Sequence, residues 1–363
     1  MPIAHLDVDA FYAGVAIRDD PSLAGHPLVV AGAHRRSVVL TASYEARVFG
    51  IRSAMPLHQA RERCASLLVV PPQMDRYREE SKRIFAILKS RGHVLESLSY
   101  DEAFLDLADL QFAEACELVA TLRDEVFQQT ALRISAGVAS GKTIAKIASE
   151  LAKPDGMLAV PPGHERTFLS PLSVGRLWGV GPKTEARLRE YGVERVCDLA
   201  RLDDPTLAEI LGSAWQRIRD ITNGIDAREI HGERETKSIS TESTFEYDVS
   251  DGRRLLDVLA QQARELSEEL LREKASARTV GIKVKFSDFS TRVRQTSLRE
   301  ATQSARTIYR AARVCLQRAE IGGSAIRLLG TRVASLSERP SDQLSLFAAA
   351  TATSILPQEQ RTN

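Results

Sequence analysis

The sequence has few cysteines and no long apolar runs. Cys64, Cys116, Cys197 and Cys315 lie far apart and form no C-x-x-C pair, which argues against a disulfide framework or a zinc site. No apolar stretch approaches the length of a membrane span. The N-terminus carries an acidic residue by position 7 and no basic stretch before an apolar one, so a signal peptide is not expected. We therefore expect a reduced, cytoplasmic protein without membrane association.

The sequence also lacks an overall charge of one sign, since its formal net charge is +1. The charges are nevertheless unevenly distributed. Between Lys274 and Arg332, thirteen basic residues stand against three acidic ones, a local balance of +10, and the rest of the chain is mildly acidic. A strongly basic region inside a neutral protein is typical of a nucleic-acid contact surface.

With 363 residues and 43% apolar content, the chain is long enough for several domains, and we expect an α/β (α+β) multidomain protein. Short helices are expected from about residue 167 to 230, between two α/β regions. Residues from about 335 onward are rich in Ser, Gln, Ala, Thr and Pro, and we expect them to be disordered. The predicted strands are 2–8, 37–43, 67–70, 132–138, 237–245, 278–286, 291–298 and 324–334, and the predicted helices include 112–129, 253–274 and 304–318.

Two acidic clusters suggest the chemistry. The segment HLDVDAFY places Asp7 and Asp9 on one side of a short strand, although a lone D-x-D often only caps the next helix. In SYDEAFLDL, Asp101 and Glu102 are adjacent at a tight turn, where they repel each other unless a cation neutralises them. Carboxylates without histidine or cysteine favour magnesium, and paired magnesium ions serve phosphoryl transfer. Polymerase, nuclease and cyclase all remain open on these residues alone.

Two further segments suggest phosphate contacts. Tyr44 and Arg47 lie three residues apart and would share a helix face, although a half-buried tyrosine beside an exposed arginine is the plainer interpretation. The stretch GVASGKTIAKIASELAKPDG resembles the end of a P-loop, but Ala136 stands where the first glycine is required, so we reject an ATPase loop. The lysines of this stretch could still contact phosphate or backbone: Lys142, Lys146 and Lys153.

Five motifs follow one another along the chain: DVDAFY, SYEARVFGIRSAMP, SYDEAFLDL, GKTIAKIASELAKPDG and GVGPKTEARL. In this order and spacing they resemble the Y-family DNA polymerases, and within them the bacterial DNA polymerase IV type. The resemblance implies a template-directed, error-prone DNA polymerase for translesion synthesis and DNA repair, without a proofreading exonuclease. It also implies a right-hand fold, with the palm at 1–9 and 72–165, the fingers at 10–71, a helical thumb at 166–230, a linker at 231–236, a little finger at 237–335 and a tail at 336–363.

The resemblance assigns roles to individual residues. Asp7, Asp101 and Glu102 would be the catalytic carboxylates and, with the backbone carbonyl of Val8, the ligands of two Mg²⁺ ions. Tyr12 would be the steric gate that excludes ribonucleotides. The other residues expected to bind the incoming dNTP are Phe11, Thr41, Tyr44, Arg47 and Lys153.

DNA contacts are expected in the thumb and the little finger. The motif GVGPKTEARL resembles a helix-hairpin-helix, whose backbone would approach a DNA phosphate, and a plain turn between helices is the alternative. The residues expected to contact DNA there are Gly179, Gly181 and Lys183. The little finger coincides with the basic region, where arginines on alternating strand positions are expected to contact phosphates. These are Arg292, Arg294 and Arg299.

The tail contains one further motif, QLSLF. An exposed apolar cluster in a disordered segment needs a partner pocket, and Gln343, Leu344, Leu346 and Phe347 look like the bacterial sliding-clamp motif. The expected partners are therefore primer-template DNA, dNTP and the sliding clamp, bound by a monomer. The main alternative is a non-catalytic relative, a scaffold that binds DNA and the clamp without polymerising.

Overall fold

The computed structural model describes residues 1–232 and 235–338. The chain divides into two compact units, Met1–Arg234 and Glu235–Asn363. The QLSLF motif lies outside the described residues. Within the described part, we find no helix with both the length and the apolar character needed to cross a membrane.

Strands and helices alternate along most of the chain. The strands are β1 (Ile3–Val8), β2 (Leu28–Ala31), β3 (Val39–Ala42), β4 (Leu68–Val70), β5 (Leu95–Ser97), β6 (Glu102–Asp106), β7 (Ile134–Ala139), β8 (Met157–Ala159), β9 (Ser238–Val249), β10 (Ala275–Phe286), β11 (Thr291–Thr302) and β12 (Ile326–Glu338). The α-helices are α1 (Phe11–Asp19), α2 (Tyr44–Val48), α3 (Leu57–Arg63), α4 (Met74–Leu88), α5 (Phe112–Thr130), α6 (Lys142–Leu151), α7 (Glu165–Leu169), α8 (Pro182–Glu190), α9 (Asp204–Leu211), α10 (Trp215–Thr222), α11 (Gly252–Arg272) and α12 (Ala305–Arg318).

The N-terminal unit contains a five-stranded sheet in the order β5-β6-β1-β7-β8. Apolar side chains of α4 and α5 pack with one face of this sheet, and those of α6 pack with the other, so the central strands are apolar nearly throughout. Gly137 of β7 lets α6 lie close to the sheet, because a Cβ atom there would fall 2.0 Å from the carbonyl oxygen of Ala145. Both strands next to β1 pair with it in antiparallel fashion, which places Asp7 opposite Glu102 on one side and opposite Ser135 on the other.

Two further regions complete this unit. A three-stranded sheet in the order β3-β2-β4 lies within residues 28–70, and residues of α3 pack on its core. After residue 165 come the short helices α7 to α10, whose apolar residues share a core with α6. The assignment of these regions as fingers, palm and thumb stays a prediction.

The C-terminal unit is a four-stranded antiparallel sheet in the order β11-β10-β12-β9. The long strands show the alternation of a sheet with one buried face. Val280, Ile282 and Val284 of β10 are buried in a core with α11 and α12, while residues that alternate with them along the strand, such as Thr279 and Lys283, line a groove on the other face. We call that second surface the open face.

Candidate active site

The predicted catalytic carboxylates lie on two neighbouring strands. Asp7 is near the end of β1, and Glu102 is its cross-strand partner at the first position of β6. Asp101 directly precedes Glu102, and its backbone carbonyl accepts a hydrogen bond of 2.9 Å from the N–H of Val8. The pairing of β1 with β6 therefore brings the DVDAFY and SYDEAFLDL motifs together.

Two lysines from the α6 region neutralise these acids. Lys153 Nζ lies 2.8 Å from Asp7 Oδ1, and Lys146 forms an ion pair with Glu102. The side chains of Asp7 and Glu102 are only 14% and 22% exposed. The third acid, Asp101, accepts a hydrogen bond from Ser99. The carboxylates thus lie in a partly buried cleft in which two lysines offset part of the negative charge of three acids.

The electrostatics show that the acids share one site. Burial and the nearby carboxylates of Asp101 and Glu102 raise the pKa of Asp7 to about 6, although Lys153 opposes this shift. Burial alone would also raise the pKa of Glu102, but hydrogen bonds with His5 and Lys146 outweigh burial and lower this pKa to about 2. Negative charge is therefore concentrated where β1 and β6 meet.

The chemistry of this donor set fits a hard divalent cation. Three carboxylates without thiolate or imidazole ligands favour magnesium-type ions, and their mutual repulsion is what a bound cation relieves. Across residues 1–232 and 235–338, no three acidic, histidine or cysteine side chains are gathered into a ready-made metal site. Asp7 and Glu102 are engaged in separate ion pairs instead, so a cation has to compete with Lys153 and Lys146 for these oxygens.

His5 belongs to this site, although the motifs did not single it out. It is fully buried on β1, with Nδ1 2.7 Å from Ser149 Oγ and Nε2 3.5 Å from Glu102 Oε2. Burial lowers its pKa to about 4, so the imidazole is neutral at physiological pH. Its position two residues before Asp7 on the same strand is the signal that could have identified it.

Of the predicted nucleotide-binding residues in the SYEARVFG motif, Tyr44 contacts Asp9 and Arg47 contacts Tyr44. Tyr44 begins α2, after the N-cap Ser43, and its hydroxyl donates to Asp9 Oδ1 at 2.8 Å. The Arg47 guanidinium stacks 4.5 Å above the centre of the Tyr44 ring. Thr41 lies on β3 just before them.

Tyr12 and Phe11 have different surroundings. The ring of Tyr12 is partly exposed and stacks on the buried Tyr77 of α4, with ring centres 4.1 Å apart and an interplanar angle of 13°. Phe11 is only 1% exposed and lies in the main core. The Phe11 side chain is therefore enclosed by the core and unavailable to a nucleotide, and the expected nucleotide contact of Phe11 stays a prediction that concerns its backbone.

Lys142 is also unavailable for phosphate contacts. Its ammonium lies 2.6 Å from Glu96 Oε2, and the two side chains are 4% and 1% exposed. The same Glu96 oxygen accepts the backbone N–H of His231 at 2.9 Å. Lys142 thus holds the start of α6 against β5, and Lys146 and Lys153 are the lysines that face the acids.

The GVGPKTEARL segment forms a turn followed by α8. Gly179 has φ +106, a conformation that favours glycine. Gly181 is the N-cap of α8, with open space where a Cβ would lie. Lys183, in the first turn, is exposed. Exposed backbone N–H groups at a helix start suit an anion, and DNA contacts here stay a prediction.

The three arginines predicted on alternating positions of the basic region do not form one row. Arg292 Nη1 donates to the carbonyls of Ala319 and Glu320 at 2.7 and 2.8 Å, and Arg294 Nε donates to the carbonyl of Arg318 at 3.1 Å. Both therefore cap the C-terminal end of α12. Arg299 is exposed and follows a residue that packs into the core, at a point where the pairing of β10 and β11 shifts register. The three arginines thus have different surroundings, and their contacts with DNA phosphates stay a prediction.

Arg332 is a better-placed cation that the sequence interpretation missed. It is exposed on β12, opposite Gly281 of β10 and Ser240 of β9, and it lines the groove of the open face. Along the strand, Arg332 lies between the buried residues Thr331 and Val333. The position of Arg332 between these neighbours is the sequence signal that could have identified it.

The fold has the architecture of a right-hand DNA polymerase. It consists of a sheet with acids on adjacent strands, a set of short helices that follows, and a separate α/β unit. Solved structures share this fold. A Y-family DNA polymerase chimera of Dbh and Dpo4 matches with a TM-score of 0.87 and 24% identity, over 93% of this chain and all of that one. An insertion ternary complex of Dbh DNA polymerase matches with a TM-score of 0.66 and 24% identity, over 92% and 98% of the two chains.

The family follows from the sequence comparisons. The chain matches the impB/mucB/samB family over residues 6–150, the IMS family HHH motif over 162–193, and the impB/mucB/samB family C-terminal domain over 236–346. It is 39% identical to DNA polymerase IV of Methanoculleus marisnigri over 95% of this chain and 97% of that protein. It is 38% identical to DNA polymerase IV of Halorhodospira halophila over 96% and 99%. The chain belongs to the impB/mucB/samB family, the Y-family DNA polymerases.

Proposed function

We propose that this chain is a DNA-directed DNA polymerase that carries out translesion synthesis on primer-template DNA with dNTP substrates. It matches relatives named DNA polymerase IV along nearly their whole length. The observation that carries the proposal is the meeting of Asp7 and Glu102 across β1 and β6, with Asp101 beside them. We assign these three acids, with the Val8 carbonyl, as ligands of two Mg²⁺ ions.

The protein's own groups have distinct tasks in this reaction. When bound, the two ions would activate the primer hydroxyl and stabilise the leaving pyrophosphate. Lys153 is close enough to Asp7 to neutralise charge on a triphosphate bound there. Arg47, supported by the Tyr44 ring, would supply a second positive charge, and Tyr12, held by its stack on Tyr77, would exclude a ribose 2′ hydroxyl. We assign Thr41 to the same triphosphate set.

DNA would be held by groups that do not read its sequence. We propose phosphate contacts at the turn of Gly179 and Gly181, at Lys183, and on the open face at Arg332 and Arg299. A sliding clamp is the proposed partner of the QLSLF motif. The protein would act as a monomer without a proofreading exonuclease.

Primer extension tests this proposal. The wild-type protein should extend a labelled primer on a DNA template with dNTP and Mg²⁺, and Asp101→Asn combined with Glu102→Gln should abolish extension while preserving side-chain size. The matched control is Asp106→Asn, at the other end of β6, where the carboxylate accepts the N–H of Ala108 at 3.0 Å. Absence of extension by wild-type protein that still binds DNA would instead favour the scaffold.

A further inference from the structure

Asp9 is a buried carboxylate that does not belong to the proposed metal ligands. It is 8% exposed and accepts hydrogen bonds from three separate elements. These come from the Tyr44 hydroxyl of α2 at 2.8 Å, from Ser135 Oγ of β7 at 3.0 Å, and from the backbone N–H of Asp155, after α6, at 2.7 Å. Three donors on one carboxylate fix the position of every element that supplies them.

Two of these donors belong to segments that carry the proposed triphosphate-binding groups. The Tyr44 ring supports the Arg47 guanidinium, 4.5 Å above its centre. Asp155 follows Lys153 by two residues, and the Lys153 ammonium reaches the site at Asp7. Asp9 therefore lies where the segment of Tyr44 and Arg47 meets the segment of Lys153, and its carboxylate is bonded to both.

We propose that Asp9 is a positioning residue for the incoming nucleotide. Through Tyr44 and through the backbone at Asp155, it sets the distance between the two cations that receive the triphosphate, Arg47 and Lys153. Asp9 itself need not touch the substrate. This inference rests on the proposed polymerase function, and it predicts that loss of Asp9 weakens productive binding of dNTP.

The first test is steady-state insertion of a single correct dNTP by wild-type protein and Asp9→Asn. Asparagine keeps the size, but its amide nitrogen cannot accept a hydrogen bond. At least one of the three buried donors then loses its partner, and we expect KM for dNTP to rise about tenfold, the effect of one unsatisfied buried group. A purely structural role would reduce the active fraction, which lowers the apparent kcat and leaves KM unchanged.

The matched control is Asp106→Asn, the same carboxylate-to-amide change at the far end of β6, where the carboxylate accepts the N–H of Ala108 at 3.0 Å. KM should stay at the wild-type value in this variant. Half-saturation by Mg²⁺ should also stay unchanged in Asp9→Asn. A rise in the Mg²⁺ requirement that accounts for the whole change in KM would overturn the proposal, because Asp9 would then act on the metal site.

A double-mutant cycle tests the connection through Tyr44. Tyr44→Phe keeps the ring under Arg47 and removes only the hydroxyl. If that hydroxyl acts through Asp9, Tyr44→Phe raises KM in the wild-type background and adds little in Asp9→Asn. Fully additive effects would contradict the connection.

The outcomes separate this inference from the proposed function. No primer extension by the wild-type protein would overturn both. Extension by the wild type with an unchanged KM in Asp9→Asn would overturn the role of Asp9 alone. If Asp9→Asn does not fold, Asp9→Glu, which keeps the charge and moves the carboxylate by one methylene, takes its place: a raised KM supports the proposal, and a wild-type KM refutes it.

Discussion

The buried ion pair between Lys142 and Glu96 gives a quantitative test of how α6 is held. Lys142→Met keeps most of the side-chain volume and removes the ammonium that lies 2.6 Å from Glu96. The Glu96 carboxylate, 1% exposed, then loses this ammonium while it still accepts the N–H of His231. Removing one partner of a buried pair costs about 3–5 kcal/mol. In a unit of this size, that loss should lower Tm by about 10 °C.

The assay can be confined to the relevant unit. The two tryptophans of the chain, Trp178 and Trp215, both lie in the N-terminal unit, so their fluorescence during urea or thermal unfolding reports that unit alone. Lys82→Met is the control, because Lys82 is an exposed lysine of α4 and its loss should change the midpoint little.

The double variant distinguishes a broken pair from a badly packed methionine. Glu96→Leu with Lys142→Met replaces the pair by apolar groups and should recover much of the lost stability. The reasoning would be refuted if Lys142→Met had the same unfolding midpoint as Lys82→Met. It would also be refuted if the double variant lost as much stability as Lys142→Met and Glu96→Leu do when their separate losses are added.

Three further predictions concern selectivity, pH and a partner. Tyr12→Ala should greatly increase ribonucleotide insertion with little change for dNTP, measured as the ratio of kcat/KM values, because the ring proposed to block the 2′ hydroxyl is lost. Burial of Asp226 opposes ionisation, but hydrogen bonds with Arg228 and a backbone N–H outweigh this and lower its pKa. Its stabilisation is therefore present above the unfolded-state pKa and is lost as pH falls. Asp226→Asn should lower Tm at pH 7, and the difference from wild type should shrink as the pH falls below about 4 in thermal scans. Leu346→Ala with Phe347→Ala should abolish stimulation by the bacterial sliding clamp in primer extension and leave clamp-free synthesis unchanged.

Long periodic elements were predictable from the sequence, and short ones only in part. The pattern predicted strands 278–286 and 291–298 and helices 253–274 and 304–318, each within a few residues of β10, β11, α11 and α12. Of the short strands it predicted β3 and β4, and it missed β2, β5, β6 and β8, which have three to five residues. Such segments are too short to show a period, and their neighbours in the sheet define them.

The carboxylate site shows the same limit at the level of side chains. Alternation placed Asp7 and Asp9 on one side of a strand, and Ser135, the cross-strand partner of Asp7, does donate to Asp9. The pattern could not show that Asp9 turns to Tyr44 and Asp155 and leaves Asp7 to meet Asp101 and Glu102. Those donors come from elsewhere in the chain, so only the tertiary fold separates the two acids into different roles.

The basic C-terminal unit shows how far a charge count can be used. Counting identified the region, but the fold divides its cations between two tasks: Arg292 caps the carbonyls at the end of α12, whereas Arg332 is exposed on the open face.

If the open face binds DNA, Arg332→Ala should weaken binding and reduce the slope of log K against log salt by about one. Arg292→Ala should leave that slope unchanged and destabilise the unit by about 1 kcal/mol, since two carbonyls lose their donor. Fluorescence anisotropy with labelled primer-template over a range of salt concentrations measures both slopes, and an equal reduction in the two variants would contradict this division of the charges.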